Sequence, residues 1–306
     1  MSAPVTVVIP TFRRPDCLAR ALESVFAQTD APPFDVLVVD NDPAASARAV
    51  ADQFAQQALS GIRLTYLHEP HPGVANARNA AIGAVRTTLL AFLDNDQTAT
   101  ETWLAALMAC HKRFPAAVTF GPVRAALPAS GGPHEAYLTE FFSRPESGPT
   151  GYIRQPFGCG NSLVDLSAIP PARPVFDART NETGGEDDLF FARVKAAGGA
   201  FAWCAEAAVL EHVPAARARL GYTLHRALAY GQGPITLARR KTPVDWPAIA
   251  LWMGVGACKL AGNGALYLAG LITRSPHRAW HLDRAARGLG KLIWWVKFRF
   301  YGAAQL

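Results

Sequence analysis

The chain has 306 residues, 50% of them hydrophobic and 18% charged, a composition that supports a large folded core and excludes a disordered chain. Its 30 basic and 24 acidic residues give a formal charge of +6, but residues 239–306 hold 11 basic and 2 acidic residues (+9), whereas residues 1–238 hold 19 and 22 (−3). An acidic body with a basic tail is unlike a nucleic-acid binder with a uniformly basic surface, so we predict no nucleic-acid partner.

Short apolar runs alternate with helical patterns along residues 5–93. In the first helical pattern Leu18, Leu22 and Val25 recur at the spacing of one helix face, after Pro15, which favours a helix start. Strands that alternate with helices predict a parallel, doubly wound α/β sheet, in which ligands bind at the carboxyl ends of the strands. The predicted strands are 5–9, 34–39, 62–67 and 89–93, and the predicted helices are 15–26, 44–59 and 72–85.

The next part of the chain, up to residue 238, is less regular. Residues 125–179 are rich in proline and glycine and predict loops with short strands. The apolar spacing then predicts a helix over 185–197, a strand over 201–204 and a helix over 215–230.

The tail has a different composition from the body. Residues 246–272 are almost wholly apolar, and their length is near the ~20 residues that cross a bilayer, although Lys259 lies near the middle. Residues 274–299 are basic with interleaved aromatic side chains, a pattern typical of a helix that lies on a membrane surface. We predict a folded domain at 1–238 and a membrane-associating helical region at 239–306, and the sequence leaves open whether 246–272 spans the bilayer, lies on it or packs against the body.

Carboxylates follow two of the predicted strands. Asp94 and Asp96 come after the run 89–93, and Asp40 comes after 34–39. Because parallel strands end at one edge of the sheet, we expect these side chains to lie close together. Clustered carboxylates repel one another, and a divalent cation such as Mg²⁺ or Mn²⁺ relieves that repulsion. A solvated acidic turn is the alternative interpretation.

A second group of acidic residues, Glu186, Asp187 and Asp188, begins a predicted helix. Acidic side chains stabilise the helix dipole there, but one would suffice. Three indicate a further role, such as a carboxylate that accepts a proton from a hydroxyl. His212, after another apolar run, is either a structural histidine or a metal ligand.

Four elements, in this order and spacing, resemble the inverting family 2 glycosyltransferases with the GT-A fold, over about residues 5–235. That fold is an α/β nucleotide-diphospho-sugar transferase fold with a mostly parallel central sheet flanked by helices. The elements are VTVVIPTFRRPDCLARALESVFAQ at 5–28, VVDNDP at 38–43, PGVANARNAAI at 72–82 with FLDND at 92–96, and GGEDDLFFARVKAAG at 184–198.

The resemblance implies which residues hold a nucleotide-sugar donor. Pro10 and Thr11 would border the base pocket, and Asp40 would hydrogen-bond the base. Arg78 would face the nucleotide. Asn161 lies in a loop that resembles, more loosely, the one near the donor sugar and the acceptor.

The resemblance also implies a metal and a base. Asp96 would bind Mn²⁺ or Mg²⁺ directly, Asp94 beside it would contact the ribose or the sugar, and His212 would be a further metal ligand. Asp187 matches the catalytic base, with Glu186 next to it. The ion would offset the negative charge that develops on the leaving diphosphate, while the base deprotonates the acceptor hydroxyl. One displacement would then invert the anomeric centre.

The implied activity is the transfer of one hexose from a UDP- or GDP-sugar to a saccharide. The chain lacks the Gln-x-x-Arg-Trp motif of some processive members, which favours single addition. If the tail binds a membrane, the expected acceptor is a polyprenyl-diphosphate-linked saccharide in cell-surface polysaccharide or glycoconjugate assembly. The enzyme would then be peripheral or monotopic on the cytoplasmic side.

Two other functions are compatible with parts of this pattern. One is a non-catalytic, membrane-associated scaffold with the same fold. The other is a nucleotidylyltransferase, against which the absence of a glycine-rich phosphate loop after the first predicted strand counts.

Overall fold

The computed structural model describes residues 4–57, 62–128, 132–144, 147–296 and 298. The chain divides into two compact units, each with many contacts between its own Cα positions. The first takes its described residues from Met1–Ala125 and Ser143–His212, and the second from Ala126–Phe142 and Val213–Phe300. Because such a unit is not the same as a domain that folds alone, the domain boundary at residue 238 stays a prediction.

Strands and helices alternate through the first third of the chain, as the sequence predicts. They are β1 (Val5–Thr11), α1 (Pro15–Phe26), β2 (Phe34–Asp40), α2 (Arg48–Gln57), β3 (Arg63–His68), α3 (Val74–Ala84) and β4 (Leu89–Phe92). The chain continues through β5 (Gln97–Ala99), α4 (Trp103–Arg113), β6 (Val118–Phe120), β7 (Val123–Ala126), α5 (Glu135–Phe142), β8 (Gly151–Ile153) and β9 (Ser162–Asp165). It ends with α6 (Glu186–Ala196), β10 (Phe201–Trp203), β11 (Val209–His212), α7 (Leu220–Arg239), α8 (Trp246–Ile272) and α9 (Arg278–Leu292).

The central sheet has the strand order β3-β2-β1-β4-β9-β6-β10-β8. β1 to β4 are parallel, and β10 is parallel to β6, whereas β9 runs antiparallel to both β4 and β6. A smaller sheet has the order β5-β11-β7. The predicted α/β fold with a mostly parallel sheet is therefore confirmed, and the antiparallel β9 is a feature that the sequence did not predict.

Both faces of the central sheet are buried. Val7 and Ile9 of β1 pack with Leu18 of α1 in one apolar cluster, whereas Val8, between them, packs with Phe92 in the other. Burying each such side chain stabilises the fold by about 1.5–3 kcal/mol. The run Val5–Ile9, apolar except for Thr6, is thus a strand that is covered on both sides.

Two helices differ in extent from the prediction. α2 begins at Arg48, not at 44. The Asp42 carbonyl oxygen accepts a 2.8 Å hydrogen bond from the Ala45 amide in a turn. Ala45 has a positive φ of 53°, which is incompatible with a continuous helix from 44. α7 begins at Leu220 instead of 215 and continues to residue 239 instead of ending at 230. Gly231 of α7 lies directly against the Arg287 carbonyl oxygen of α9. A glycine weakens a helix locally, and close packing against α9 stabilises α7 at this position.

The helices of the second unit also approach each other closely at glycines. A methyl group on Gly256 of α8 would lie 2.8 Å from the Gly288 carbonyl oxygen of α9. Small residues at helix contacts are common in membrane proteins. Within the described residues, α8 is the helix that is long and apolar enough to cross a membrane, judged by length and composition.

Candidate active site at the carboxyl edge of the sheet

The ends of β1, β2 and β4 bring three predicted site residues to one edge. Thr11, at the end of β1, is in register with Asp40 at the end of β2. β4 lies on the other side of β1 and ends two residues before Asp94. The Thr11 hydroxyl accepts a 2.9 Å hydrogen bond from the Asn95 side chain, which ties the first loop to the Asp94–Asp96 turn. Pro10, next to Thr11, is half-buried.

Asp40 is fully buried, and its carboxylate accepts hydrogen bonds from three protein donors. These are the amides of Asp42 at 3.1 Å and Ala47 at 2.8 Å, and the Tyr66 hydroxyl at 2.9 Å. Together they fix the turn between β2 and α2. A contact between this carboxylate and a nucleotide base would have to share or replace these partners, and it stays a prediction.

Arg78 of α3 joins the Asp94 turn to the start of α6. Its guanidinium, with a side chain only 5% exposed, lies 2.6 Å from the Glu186 carboxylate and 3.6 Å from that of Asp94. Burial and the neighbouring Asp187 raise the pKa of Glu186 to about 7, and the Arg78 charge opposes that shift. The enclosing protein, and after it the charges of Asp96 and Asp187, raise the pKa of Asp94, while Arg78 lowers it.

Asp187 lies in the first turn of α6, after Gly185, whose φ of 89° starts the helix from a left-handed conformation. Its carboxylate accepts a 2.9 Å hydrogen bond from the Asp188 amide and a longer one, at 3.4 Å, from the Cys159 amide. The free amides and the dipole at a helix start stabilise a negative charge there.

The Gly158–Gly160 loop lies beside both Asp94 and Asp187. A methyl group on Gly160 would overlap the Asp94 carboxylate, and one on Gly158 would lie 3.4 Å from Asp187 Oδ2. The loop therefore brings the predicted base and a predicted donor ligand to its two ends, and only a glycine fits next to Asp94.

Arg144 holds the Gly158–Gly160 loop in place, and the sequence analysis missed it. Its guanidinium donates hydrogen bonds to the carbonyl oxygens of Gly158 and Asn161, at 2.7 and 2.9 Å, and to two more at positions 121 and 160. The surrounding protein lowers its pKa to about 10, which leaves it charged at neutral pH. No sequence motif marks this arginine, because these four hydrogen-bond acceptors are backbone atoms.

Asn161 is buried, and its side chain is used entirely within the protein. The amide nitrogen donates to the carbonyl oxygens of Pro122 and Ala207 at 2.8 and 2.9 Å, and the amide oxygen accepts from Trp103 Nε1 at 2.7 Å. These bonds indicate that the side chain positions the loop. Its predicted contact with the donor stays a prediction.

Asp96 and His212 meet through the small sheet. The His212 amide donates to the Asp96 carbonyl oxygen at 2.8 Å, and the His212 ring nitrogen Nε2 lies 3.0 Å from the Thr98 hydroxyl. The Asp96 carboxylate forms a 3.0 Å ion pair with Arg14, a second arginine that the sequence analysis missed. Burial, and after it the charge of Arg20, lowers the pKa of His212, which favours the neutral ring that a metal requires.

The acidic edge of the sheet offers carboxylate ligands for a divalent cation, and a bound substrate would complete the coordination of that cation. Within the described residues, no three His, Cys, Asp or Glu side chains converge into a closed metal cage. Asp94 and Asp96 are nevertheless neighbouring carboxylates with side chains 40% and 12% exposed. Mg²⁺ commonly binds one or two carboxylates and completes its coordination with phosphate oxygens and water. The metal role of His212 stays a prediction.

Comparison with known sequences gives one family. The sequence model described as "Glycosyl transferase family 2" matches residues 6–163. The succinoglycan biosynthesis protein ExoM of Rhizobium meliloti (strain 1021) is 33% identical over 230 residues, which cover 74% of this chain and 73% of ExoM. A validoxylamine A glucosyltransferase of Streptomyces hygroscopicus subsp. limoneus is 33% identical over 121 residues, 38% of this chain and 26% of that protein.

Solved structures share the fold at low sequence identity. The mannosyltransferase PcManGT from Pyrobaculum calidifontis, in complex with GDP-Man and Mn²⁺, superposes with a TM-score of 0.62 at 18% identity, over 96% of this chain and 88% of that one. S. aureus TarS 1-349, in complex with UDP-GlcNAc, gives a TM-score of 0.56 at 14% identity, over 94% of this chain and 90% of that one.

Proposed function

This chain belongs to the family 2 glycosyltransferases, and we propose that it transfers a single sugar, with inversion, from a UDP- or GDP-sugar to a saccharide acceptor, assisted by Mn²⁺ or Mg²⁺. The observation that supports this most is the pairing of Asp94 and Asp187 at the two ends of the Gly158–Gly160 loop. A direct displacement needs one carboxylate that binds the sugar donor and another, close by, that accepts the proton. Asp94 and Asp187 would serve these two roles.

In the proposed reaction, Asp187 accepts the proton of the acceptor hydroxyl. The acceptor oxygen forms a bond to the anomeric carbon while the bond from that carbon to the diphosphate oxygen breaks, so the configuration inverts and no covalent enzyme intermediate is needed. A divalent cation, when bound at Asp94 and Asp96, supplies charge that stabilises the leaving diphosphate. Arg78 keeps Glu186 and Asp94 at fixed separations, so that the carboxylates are oriented before the substrates arrive.

The acceptor and the location are further parts of the proposal. ExoM takes part in succinoglycan biosynthesis, which supports a saccharide acceptor in polysaccharide assembly. The apolar α8 and the basic residues around it support a membrane surface as partner. We further propose a polyprenyl-diphosphate-linked saccharide as acceptor, on the cytoplasmic side, because an enzyme at a membrane surface would meet a lipid-linked acceptor. Membership of the family supports an enzyme over the scaffold and over the nucleotidylyltransferase.

The test of the reaction is sugar transfer from radiolabelled UDP- and GDP-sugars with Mn²⁺ present, measured for the wild type and for Asp187→Asn. The amide cannot take the hydroxyl proton, so we expect kcat to fall by about 10²–10⁴-fold. Binding of the nucleotide sugar with Mn²⁺, measured by calorimetry, should change little, because the substitution removes the base and leaves Asp94 and Asp96 in place.

Asp188→Asn is the matched control, since Asp188 is the next residue in the same helical turn and is exposed. It should retain most of the wild-type kcat. Full activity of Asp187→Asn would show that another group is the base, and equal losses in both variants would indicate only a general effect of charge at the helix start.

A further inference from the structure

Two consecutive arginines before α1 each hold an aspartate at the edge of the sheet. Arg13 forms a 3.1 Å ion pair with Asp42, and Arg14 forms a 3.0 Å ion pair with Asp96. The Arg14 and Asp96 side chains are 26% and 12% exposed, so this second pair is partly shielded from water. Arg14 therefore supplies a positive charge to the carboxylate that we propose as the direct metal ligand.

A guanidinium and a divalent cation compete for such a carboxylate. Both are attracted to the same oxygens, and their like charges repel each other at short range. Asp94 has its own counter-ion in Arg78, 3.6 Å away, and its side chain is more open, at 40% exposed. Binding of an ion at Asp96 therefore has a cost that binding at Asp94 does not have, because Arg14 must be displaced.

We propose that Arg14 is an internal counter-ion of Asp96, which leaves this carboxylate when a divalent cation binds together with a nucleoside diphosphate. This inference rests on the proposed metal dependence. A released guanidinium finds a new partner in the diphosphate, because phosphate oxygens match its paired N–H donors. Without the nucleotide the ion has to displace Arg14 with no such compensation, so ion binding and nucleotide binding are coupled.

Three variants separate this role from general effects of charge. Arg14→Gln removes the competing charge but retains a hydrogen-bond donor near Asp96, whereas Arg14→Lys retains the charge. Arg13→Gln is the matched control, since Arg13 is the neighbouring residue and its partner Asp42 is not a proposed ligand. Arg14→Gln combined with Asp96→Asn tests whether the affected ion binds at Asp96.

The experiment is a titration of the full-length protein with Mn²⁺, in which free Mn²⁺ is followed by electron paramagnetic resonance, without and with UDP or GDP. Without nucleotide, we expect Arg14→Gln to bind Mn²⁺ about tenfold more tightly than the wild type, within the range of typical coupling between sites. Arg14→Lys and Arg13→Gln should resemble the wild type, and the double variant should lose the gain. With nucleotide, the increase in Mn²⁺ affinity should be smaller for Arg14→Gln than for the wild type.

An unchanged or lower Mn²⁺ affinity of Arg14→Gln without nucleotide would overturn the inference. If the wild type then still binds Mn²⁺ in the presence of nucleotide, the proposed metal site stands and only the role of Arg14 falls. If no variant binds Mn²⁺ with nucleotide present, the metal site and the role of Arg14 fall together. If Arg13→Gln gains Mn²⁺ affinity by the same factor, the gain is an effect of net charge, and the inference is overturned as well.

Discussion

Three carboxylates at the candidate site each have an arginine at short range. Arg78 lies between Glu186 and Asp94, and Arg14 lies against Asp96. A buried charge without such a partner is strongly destabilising, so these pairs constrain where each carboxylate can be. The geometry of the site is consequently built into the fold before a substrate binds.

The first prediction concerns the contact between Gly160 and Asp94. In Gly160→Ala the added methyl group would overlap the Asp94 carboxylate, which must turn away because the loop is held by Arg144. A displacement of about 1 Å in a reacting arrangement can cost about 10²-fold in rate, and we expect a loss of kcat/KM of that order in sugar-transfer assays.

Gly151→Ala is the control for this substitution, because the added methyl group has no neighbour within 4 Å. It should leave kcat/KM close to the wild-type value. Gly158→Ala, whose methyl group would make an ordinary 3.4 Å contact with Asp187, should have a much smaller effect than Gly160→Ala. Wild-type activity of Gly160→Ala would mean that the Asp94 carboxylate is free to move without consequence for transfer.

At this scale the sequence predicted the acidic residues and Arg78, but it gave no sign of Arg14 and Arg144. Asp94, Asp96 and Asp187 are recognisable because they follow strands or begin a helix in a known order. Arg14 and Arg144 act through contacts 82 and 14–23 residues away along the chain, and the folded arrangement alone determines those contacts.

Among the elements, β9 is what joins the two halves of the central sheet. It lies antiparallel between β4 and β6, and Asn161, directly before it, connects three other segments through its side chain. Asn161 also has a positive φ of 54°, a conformation that asparagine tolerates better than most residues. Its position thus combines a backbone requirement with three hydrogen bonds.

The second prediction is that Asn161→Ala destabilises the protein. The substitution leaves the indole N–H of Trp103 and the carbonyl oxygen of Ala207 without these partners in a buried place. The Pro122 carbonyl oxygen also loses a partner, but it keeps its hydrogen bond from the Val209 amide at 3.0 Å. Each unsatisfied buried group costs about 1–3 kcal/mol, so we expect a loss of about 2 kcal/mol or more in the free energy of unfolding, measured by urea denaturation.

Asn263→Ala serves as the comparison, since Asn263 of α8 is only half-buried and makes weaker contacts. Its amide nitrogen donates to one carbonyl oxygen of the same helix, and its amide oxygen lies 3.5 Å from His281 Nδ1. Its unfolding free energy should stay within about 0.5 kcal/mol of the wild type. A loss below about 1 kcal/mol in Asn161→Ala would argue that water replaces the missing amide.

The apolar runs made β1 and β2 predictable, because burial on both sides of a sheet leaves a nearly continuous signal. The helical spacing of its buried side chains made α1, between them, predictable. β9 has four residues and lies in a region rich in proline and glycine, so its pairing with β4 and β6 depends on partners that are distant in the chain. α4 is an element that the sequence could have predicted and that is absent from the predicted helices, since Trp103, Leu107 and Cys110 form one buried face at helical spacing.

The whole chain combines an acidic body with a basic, apolar tail. Residues 239–306 carry +9, and α8 within this segment exposes large apolar side chains such as Leu251, Leu268 and Ile272. An exposed apolar surface flanked by basic residues is typical of a protein that binds an anionic membrane, where each basic residue near the surface contributes about 1 kcal/mol.

The third prediction is that the protein sediments with vesicles that contain phosphatidylglycerol, and less with pure phosphatidylcholine vesicles. Raising the salt concentration should weaken binding, because it screens the attraction between basic residues and lipid headgroups. The double variant Leu268→Asp with Ile272→Asp changes two exposed positions of α8, whose relative exposures are 61% and 86%. It should lose most of the binding, because it places negative charge in the apolar surface that contacts the lipid.

Ala55→Asp with Gln56→Asp changes the net charge by the same amount at exposed positions of α2 and is the matched control. Because these two residues lie outside the apolar and basic segment, this variant should sediment with the anionic vesicles like the wild type. If both double variants lose binding equally, net charge alone attracts the protein and α8 has no specific contact with lipid. A wild-type protein that stays in the supernatant with anionic vesicles would contradict the assignment of the tail to a membrane surface.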